Sequence, residues 1–231
     1  MRLSIVIPVY NSAPVLERLT SEIFRRLNPP QTEKDSADGP FTTELLLVDD
    51  GSSDHSFEVI QELAAADHRI KGFRLAKNFG QQNATLCGLR HASGDLIATM
   101  DDDLQHPASA LNDMIRQLYE EDLDIVYGIY PYTGERVRTL GSALRDWLFN
   151  TQMGKPEAIE ISSFRVMRRS LLDRIVRTPY RFAYISALVL RETLKIGNCP
   201  VPRQPRAVGR SGYTFLSLCA LYCMTWLYYG R

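Results

Sequence analysis

Ala98-Thr99-Met100-Asp101-Asp102-Asp103-Leu104-Gln105-His106-Pro107 is an apolar run that ends abruptly in three consecutive carboxylates. Leu96 to Met100 has the length and composition of a short buried strand. Asp101, Asp102 and Asp103 are therefore expected at its carboxyl end, where open α/β sheets place their ligands. Like charges packed this closely repel, so a positive group is expected between them. A hard divalent cation suits the oxygens that Asp101, Asp103 and the Gln105 amide present at alternate positions. An isolated Asp-x-Asp reads equally well as an acidic turn capping the helix after Pro107, and the rest of the chain has to separate the two readings.

Working outward from this stretch, the same order of apolar strand, polar turn and helix occurs three times before it. Leu3 to Val9 is a continuous, β-branched-rich run, a buried parallel strand, and Tyr10-Asn11-Ser12 breaks it and caps a helix from about Ala13 to Leu27. Asn28 to Thr43, with three prolines and Gly39, is a polar surface loop. A second strand, Glu44 to Val48, ends in Asp49-Asp50-Gly51-Ser52-Ser53-Asp54 ahead of a helix from Phe57 to Ala66. A third, Ile70 to Ala76, passes through Lys77-Asn78-Phe79-Gly80-Gln81-Gln82 into a helix reaching about Ala92. After Pro107 a helix runs to about Glu121 and a strand covers Leu123 to Tyr127. This alternation predicts one αβα sandwich around a mostly parallel sheet, with every polar cluster at a strand carboxyl end and hence on one crevice.

Beyond Gly128 the pattern changes. Ile129 to Val137 reads as a loop, Arg138 to Thr151 as a helix, Ile161 to Met167 as a strand carrying Ser162, Ser163 and Arg165, and Leu171 to Val176 as a helix. An apolar stretch, Phe182 to Leu190, precedes Leu194 to Val201, and Pro200 to Arg206 runs extended near an edge. Ser211 to Gly230 contains no charged residue and is rich in aromatics. We expect it to form an apolar helix lying at a membrane interface, or the start of an anchor region, with an ordinary core helix as the alternative. The expected division is 1–210 for the sandwich and 211–231 for the membrane-associating segment.

Composition narrows the class. Lys plus Arg and Asp plus Glu both number 27 in 231 residues, and this zero balance gives no support to a general nucleic-acid binder. Charge is arranged locally instead. The carboxylates at 101–103 face an arginine-rich second half (Arg136, Arg138, Arg145, Arg165, Arg168, Arg169, Arg203, Arg206, Arg210), suggesting a metal pole and an anion pole. Cys87, Cys199, Cys219 and Cys223 form no CxxC pair, which suits a reduced, cytosol-facing protein. Met1 leads directly into a strand too short for a signal-peptide core. His106 is read as a hydrogen-bonded turn residue beside Pro107. No Gly-rich phosphate loop with a following basic residue lies near the first strand, which argues against a nucleotidyltransferase.

Taken together, Pro8-Val9-Tyr10-Asn11, Val48-Asp49-Asp50-Gly51-Ser52-Ser53-Asp54, Asn78-Phe79-Gly80 and Asp101-Asp102-Asp103-Leu104-Gln105-His106-Pro107 resemble the inverting glycosyltransferases of family 2, which have the GT-A fold. Ser163-Phe164-Arg165 and Arg206-Ala207-Val208-Gly209-Arg210-Ser211-Gly212-Tyr213 extend the resemblance to the branch of dolichyl- and undecaprenyl-phosphate sugar synthases. The resemblance implies a nucleotide diphosphate sugar donor, UDP- or GDP-linked, and a polyprenyl phosphate acceptor at the cytoplasmic face of a membrane, with a homo-oligomer allowed. It implies Mg²⁺ or Mn²⁺ on Asp101, Asp103 and Gln105. It also implies donor contacts from Pro8, Tyr10, Asn11, Asp50, Lys77, Asn78 and Asp101, with Tyr10 packing on the base and Asp50 accepting from its NH. Arg138, Ser142 and Arg165 are expected near the acceptor phosphate, and Arg210 and Tyr213 in a closing segment. Asp102 stands where the family often has a small residue, and Ser163 where an acidic or small one is common. A hydroxyl acceptor would require a general base, for which Asp102 is the candidate. A phosphate monoester is already anionic near neutrality and requires positioning by arginines instead. A non-catalytic nucleotide-sugar binding subunit is a further alternative. No Gln-x-x-Arg-Trp is present, so a single transfer is favoured over processive synthesis.

Overall fold

The computed structural model describes residues 1–27, 42–131, 150, 154–177, 183–202 and 227–228. The strands are β1 (Arg2–Val9), β2 (Thr42–Asp49), β3 (Ile70–Arg74), β4 (Leu96–Thr99), β5 (Ile125–Ile129), β6 (Arg165–Arg168) and β7 (Ile196–Pro200). The helices are α1 (Ala13–Leu27), α2 (Ser56–Ala66), α3 (Gln81–His91), α4 (Ala110–Glu120), α5 (Arg169–Arg177) and α6 (Ile185–Glu192). All seven strands form one sheet in the order β3-β2-β1-β4-β6-β5-β7. Every pairing is parallel except the two made by β6, which runs against β4 and β5.

Strand order explains where a site can form. From β1 the chain winds outward through β2 to β3, then returns to place β4 on the other side of β1. The carboxyl ends of β1 and β4 therefore flank the point where the winding reverses, the crevice in which doubly wound sheets bind ligands. Arg2 to Val9 is buried from Leu3 onward, as a central parallel strand covered on both faces requires. Leu3, Ile5, Ile7 and Val9 face one layer with α1, α2 and α4, while Val6 faces the other with α3, α5 and α6. Helix α1 buries Val15, Leu16, Leu19, Thr20, Ile23 and Leu27, a stripe at helical spacing that fits it to the first layer.

The opposite, amino-terminal rim is fastened by one buried carboxylate. Glu44 Oε1 accepts from Ser4 Oγ (2.5 Å) and from Ser93 N and Oγ (both 2.7 Å), and Oε2 accepts from Arg2 Nη2 and Lys71 Nζ (both 2.8 Å). Ser4 Oγ in turn accepts from Gly94 N at 2.7 Å. Glu44 thereby ties the starts of β1, β2 and β3 to the turn entering β4. Burial pushes its carboxyl up, but the bonds from Lys71, Ser4 and Ser93 outweigh that and hold it at about 2.

Several element bounds differ from the sequence expectation. β6 begins at Arg165 instead of Ile161, because the main chain before it bonds to side chains. Phe164 N donates to Ser162 Oγ, and the Ser163 carbonyl accepts from Thr99 Oγ1. β5 starts two residues later than expected, after a turn in which Asp122 takes φ 48° and Asp124 N donates to the Lys195 carbonyl. The apolar stretch at 182–190 contributes α6, which buries Ile185 through Leu190. The expected loop at 28–43, the expected helix at 138–151 and the apolar segment at 211–230 lie largely or wholly outside the described residues. Among the described residues no helix is long and apolar enough to cross a membrane.

Candidate active site

The crevice is built from loops that bond to one another. After β1, Tyr10 stands 49% exposed, and its amide donates to Asp102 Oδ2 (3.2 Å), which also accepts from Ser12 Oγ (2.5 Å). Asn11, at φ 53°, sends its carboxamide oxygen to Ser53 N (2.8 Å) and its amide to Ser52 Oγ (2.9 Å). Asp54 accepts from Ala13 N (3.3 Å) and from Ser56 N and Oγ (3.0 and 2.6 Å), and so joins the starts of α1 and α2. Asp49 is fully buried and accepts from Ser52 N (3.2 Å), with Arg74 Nε 3.3 Å away. Asp49 and Asp54 thus orient the loop.

Asp50 is 3% exposed and both its oxygens accept from the β3–α3 loop, Oδ1 from Phe79 N (2.8 Å) and Oδ2 from Gly80 N (2.9 Å). Burial raises its pKa, the two amides oppose that rise, and the neighbouring Asp49 adds to it. What the structure gives Asp50 is a clamp between two strand-end loops. Gly51 (φ 69°) is needed in the same place. A Cβ there would lie 2.5 Å from the Lys77 carbonyl carbon and 2.6 Å from Asn78 N. Lys77, Asn78 and Phe79 are exposed on the crevice side of this junction, with Lys77 Nζ 5.3 Å from the Phe79 ring centroid.

The acidic turn follows β4. Asp101 Oδ1 accepts from Gln81 Nε2 (2.6 Å), Oδ2 accepts from Ser163 Oγ (2.8 Å), and its amide donates to His106 Nδ1 (3.0 Å). Asp103 Oδ1 accepts from Gln105 N at 3.0 Å. Burial pushes the Asp102 carboxyl up, against the Ser12 hydroxyl and the Tyr10 amide, and the Asp101 charge adds to the rise. The buried His106 ring stacks on Phe164 with centroids 4.7 Å apart. Burial pushes its pKa down, against the charges of Asp101 and Asp103.

These donors suit one kind of cation. Asp101, Asp103 and Gln105 are partly exposed and offer only hard oxygens, while the His106 nitrogen nearest the turn is taken by a backbone amide. Among the described residues no group of three His, Cys, Asp or Glu side chains forms a cage. One or two carboxylates combined with waters and substrate phosphates is how Mg²⁺-like ions are held. The residues therefore fit a divalent ion that arrives with its phosphate ligand.

Two expectations change. Arg165, placed beside an acceptor phosphate by resemblance, is 2% exposed. Its Nε donates to Thr99 Oγ1 (3.0 Å) and its Nη1 to Ser186 Oγ (3.4 Å), beneath the crevice floor. The strand pleat turns it inward, because Arg165 is the cross-strand partner of Thr99. Asn11 is likewise spent on the β2–α2 loop. Arg138, Ser142, Arg210 and Tyr213 lie outside the described residues. Sequence reading did not place Gln81, Ser12 or the Ser163 hydroxyl against the carboxylates of the acidic turn. Gln81 alone carried a signal, as the first helical residue after Gly80 at a strand end.

The profile of the family described as Glycosyl transferase family 2 matches residues 4–176. The chain is 31% identical over 222 residues to undecaprenyl-phosphate 4-deoxy-4-formamido-L-arabinose transferases of Salmonella choleraesuis (strain SC-B67) and Salmonella paratyphi B. The match covers 94% of this chain and 64% of theirs, so the chain spans just under two thirds of these curated relatives. Among solved structures it is similar to S. aureus TarS 1-349 in complex with UDP-GlcNAc (TM-score 0.63, 18% identity, 98% of this chain and 67% of that one). It is also similar to a mannosyltransferase from Pyrobaculum calidifontis in complex with GDP-Man and Mn²⁺ (TM-score 0.62, 20% identity, 92% and 58%). The seven-stranded sandwich is thus the GT-A glycosyltransferase fold. The chain belongs to glycosyl transferase family 2.

Proposed function

We propose that this glycosyltransferase moves one sugar from a UDP- or GDP-linked donor to polyprenyl phosphate at the cytoplasmic face of a membrane, with inversion at the anomeric carbon. An acceptor phosphate oxygen attacks that carbon, the bond to the donor's β-phosphate oxygen breaks, and the nucleoside diphosphate leaves. Mg²⁺ or Mn²⁺ held by Asp101 and Asp103, with Gln105, would stabilise charge developing on the leaving diphosphate. Tyr10 offers an exposed ring to the base above Pro8, and Lys77 and Asn78 line the donor side. Arg138, Ser142 and Arg210 are proposed to position the acceptor phosphate, and residues 211–231 to bring the chain to the lipid. The names of the undecaprenyl-phosphate relatives support the acceptor class, and the nucleotide-sugar and Mn²⁺ complexes of the fold neighbours support the donor and metal.

The observation that carries a phosphate acceptor over a sugar hydroxyl is the engagement of Asp102. Its Oδ2 is committed to the Tyr10 amide and the Ser12 hydroxyl, on the donor side of the crevice. A hydroxyl acceptor needs a free general base, whereas a phosphate monoester with a second pKa near 6 does not. The test incubates purified protein with polyprenyl phosphate, Mg²⁺ or Mn²⁺, and a panel of labelled UDP- and GDP-sugars. Label extracted with lipid is expected for at least one donor. Label found only in a soluble saccharide would overturn the acceptor assignment in favour of a hydroxyl acceptor. Nucleotide binding without turnover would favour a binding subunit.

A further inference from the structure

The turn from Asp101 to His106 is closed on itself. Leu104 takes φ 62° with its side chain 5% exposed, Gln105 N donates to Asp103 Oδ1, and the Gln105 carbonyl accepts from Tyr130 Oη at 3.1 Å. Among the described residues, one hydrogen bond joins the end of the turn to its start. The Asp101 amide donates to His106 Nδ1, and among the described residues no main-chain carbonyl receives it. The carbonyl of the facing Ser163 is already taken by Thr99 Oγ1. An acceptor at Nδ1 places the ring proton on Nε2, which lies 3.8 Å from Asp101 Oδ2. Phe164 and Tyr130 stack with the ring at 4.7 and 6.1 Å between centroids and fix its plane. The ring is 7% exposed and faces the turn's backbone, so it serves neither as a solvent-facing base nor as a metal ligand through Nδ1.

We propose that His106 is a positioning residue whose Nδ1 latches the Asp101 amide and so sets the spacing of Asp101 and Asp103 before a cation binds. The inference rests on the reading of these two carboxylates as the metal pole, and it predicts which property of the side chain matters. An asparagine can present its carboxamide oxygen close to where Nδ1 lies, which keeps the acceptor and gives up the stack. A phenylalanine keeps the stack and gives up the acceptor.

The experiment compares wild type, His106→Asn and His106→Phe in two ways, with thermal melting to register folding. The first is residue-resolved hydrogen exchange of the Asp101 amide in the metal-free full chain. The second is Mn²⁺ titration followed by electron paramagnetic resonance, with UDP and separately GDP present. His106→Phe is expected to exchange the Asp101 amide at least about tenfold faster and to bind Mn²⁺ about tenfold more weakly, the lower end of what lost support of a metal ligand costs. His106→Asn is expected to stay within about threefold of wild type in both, well below that cost. If His106→Asn behaves like His106→Phe, or if His106→Phe behaves like wild type, the latch is wrong. Should His106→Phe fail to fold, His106→Asn alone decides, since loss of amide protection there overturns the proposal. A wild type that binds no Mn²⁺ with either nucleotide would sink the metal reading, while the exchange arm still decides the latch.

Discussion

Replacing Glu44 with glutamine should weaken the fold in a strongly pH-dependent way while leaving the crevice chemistry alone. The side chain is 1% exposed and receives five hydrogen bonds, two from cations. Its carboxyl is held at about 2 against an ordinary value of 4.5. That difference corresponds to roughly 3.4 kcal/mol of linkage at neutral pH. Arg2 and Lys71 are 47% and 41% exposed, so solvent screens their share and about 2 kcal/mol is the better expectation. The sign follows from the folded value lying below the unfolded one. The contribution is fully present above about pH 4.5 and is lost as pH falls towards 2, roughly half of it between pH 5 and 3. Glutamine can still accept from Ser4 and Ser93 but turns an NH₂ towards Arg2 and Lys71. Urea unfolding of both proteins at pH 7, 5 and 3 measures the effect. The expected gap is about 2 kcal/mol at pH 7, narrowing by about half at pH 3. A gap below about 0.5 kcal/mol at pH 7, the size of an ordinary surface substitution, or a gap independent of pH, would refute the assignment of Glu44 as the ionised hub of the strand starts.

Asp102→Asn can keep both acceptor contacts through its carboxamide oxygen, so its kcat should stay within about tenfold of wild type, whereas a lost general base would cost about 10²–10⁴. Asp102→Ala, which frees the Tyr10 loop, should raise the donor KM more than it lowers kcat. Gly51→Ala should destabilise by more than about 1 kcal/mol, from the left-handed backbone and the clash with Lys77, and should weaken donor binding measured calorimetrically. Arg165→Met removes a buried cation whose side-chain hydrogen-bond partners among the described residues are neutral hydroxyls, and should change unfolding free energy by less than about 1 kcal/mol. A loss above about 3 kcal/mol would mean that Arg165 has an ionic partner. Chelation by EDTA should abolish transfer and leave the melting temperature of the nucleotide-free protein unchanged, because each carboxylate of the turn has its own protein donors.

The core and the first four strand–helix units were legible because periodicity is local. Val15, Leu16, Leu19, Ile23 and Leu27 announce α1 by spacing alone, and Leu3 to Val9 announces a doubly covered strand. Strand direction is not local, and nothing within Arg165–Arg168 marks β6 as the one strand that runs against the rest. That the polar clusters would meet was legible for the same reason as the strands, since clusters at strand carboxyl ends converge in a wound sheet. What each polar residue bonds to was not, because the partner comes from another loop. Asp50, Asn11 and Arg165 read as ligand contacts, and the structure adds bonds to Phe79 and Gly80, to Ser52 and Ser53, and to Thr99 and Ser186 that the sequence does not show. Gln81 looked like an ordinary first-turn residue and holds Asp101.

Three adjacent carboxylates looked, on paper, as though they demanded a cation for the chain to fold around them. The fold divides that demand among neutral donors: Gln81 and Ser163 for Asp101, Ser12 and the Tyr10 amide for Asp102, and the Gln105 amide for Asp103. A positive charge lies beneath them as well. Arg165 and Thr99 form the last pair of the β4–β6 ladder, two residues along the chain from the bonded Ser163 and Asp101. With each carboxylate already supported by protein donors, the ion proposed above would act on the substrate's diphosphate and not on the fold. That separation matters for catalysis, because dipoles already fixed when the donor arrives need no reorganisation as charge develops on the leaving group.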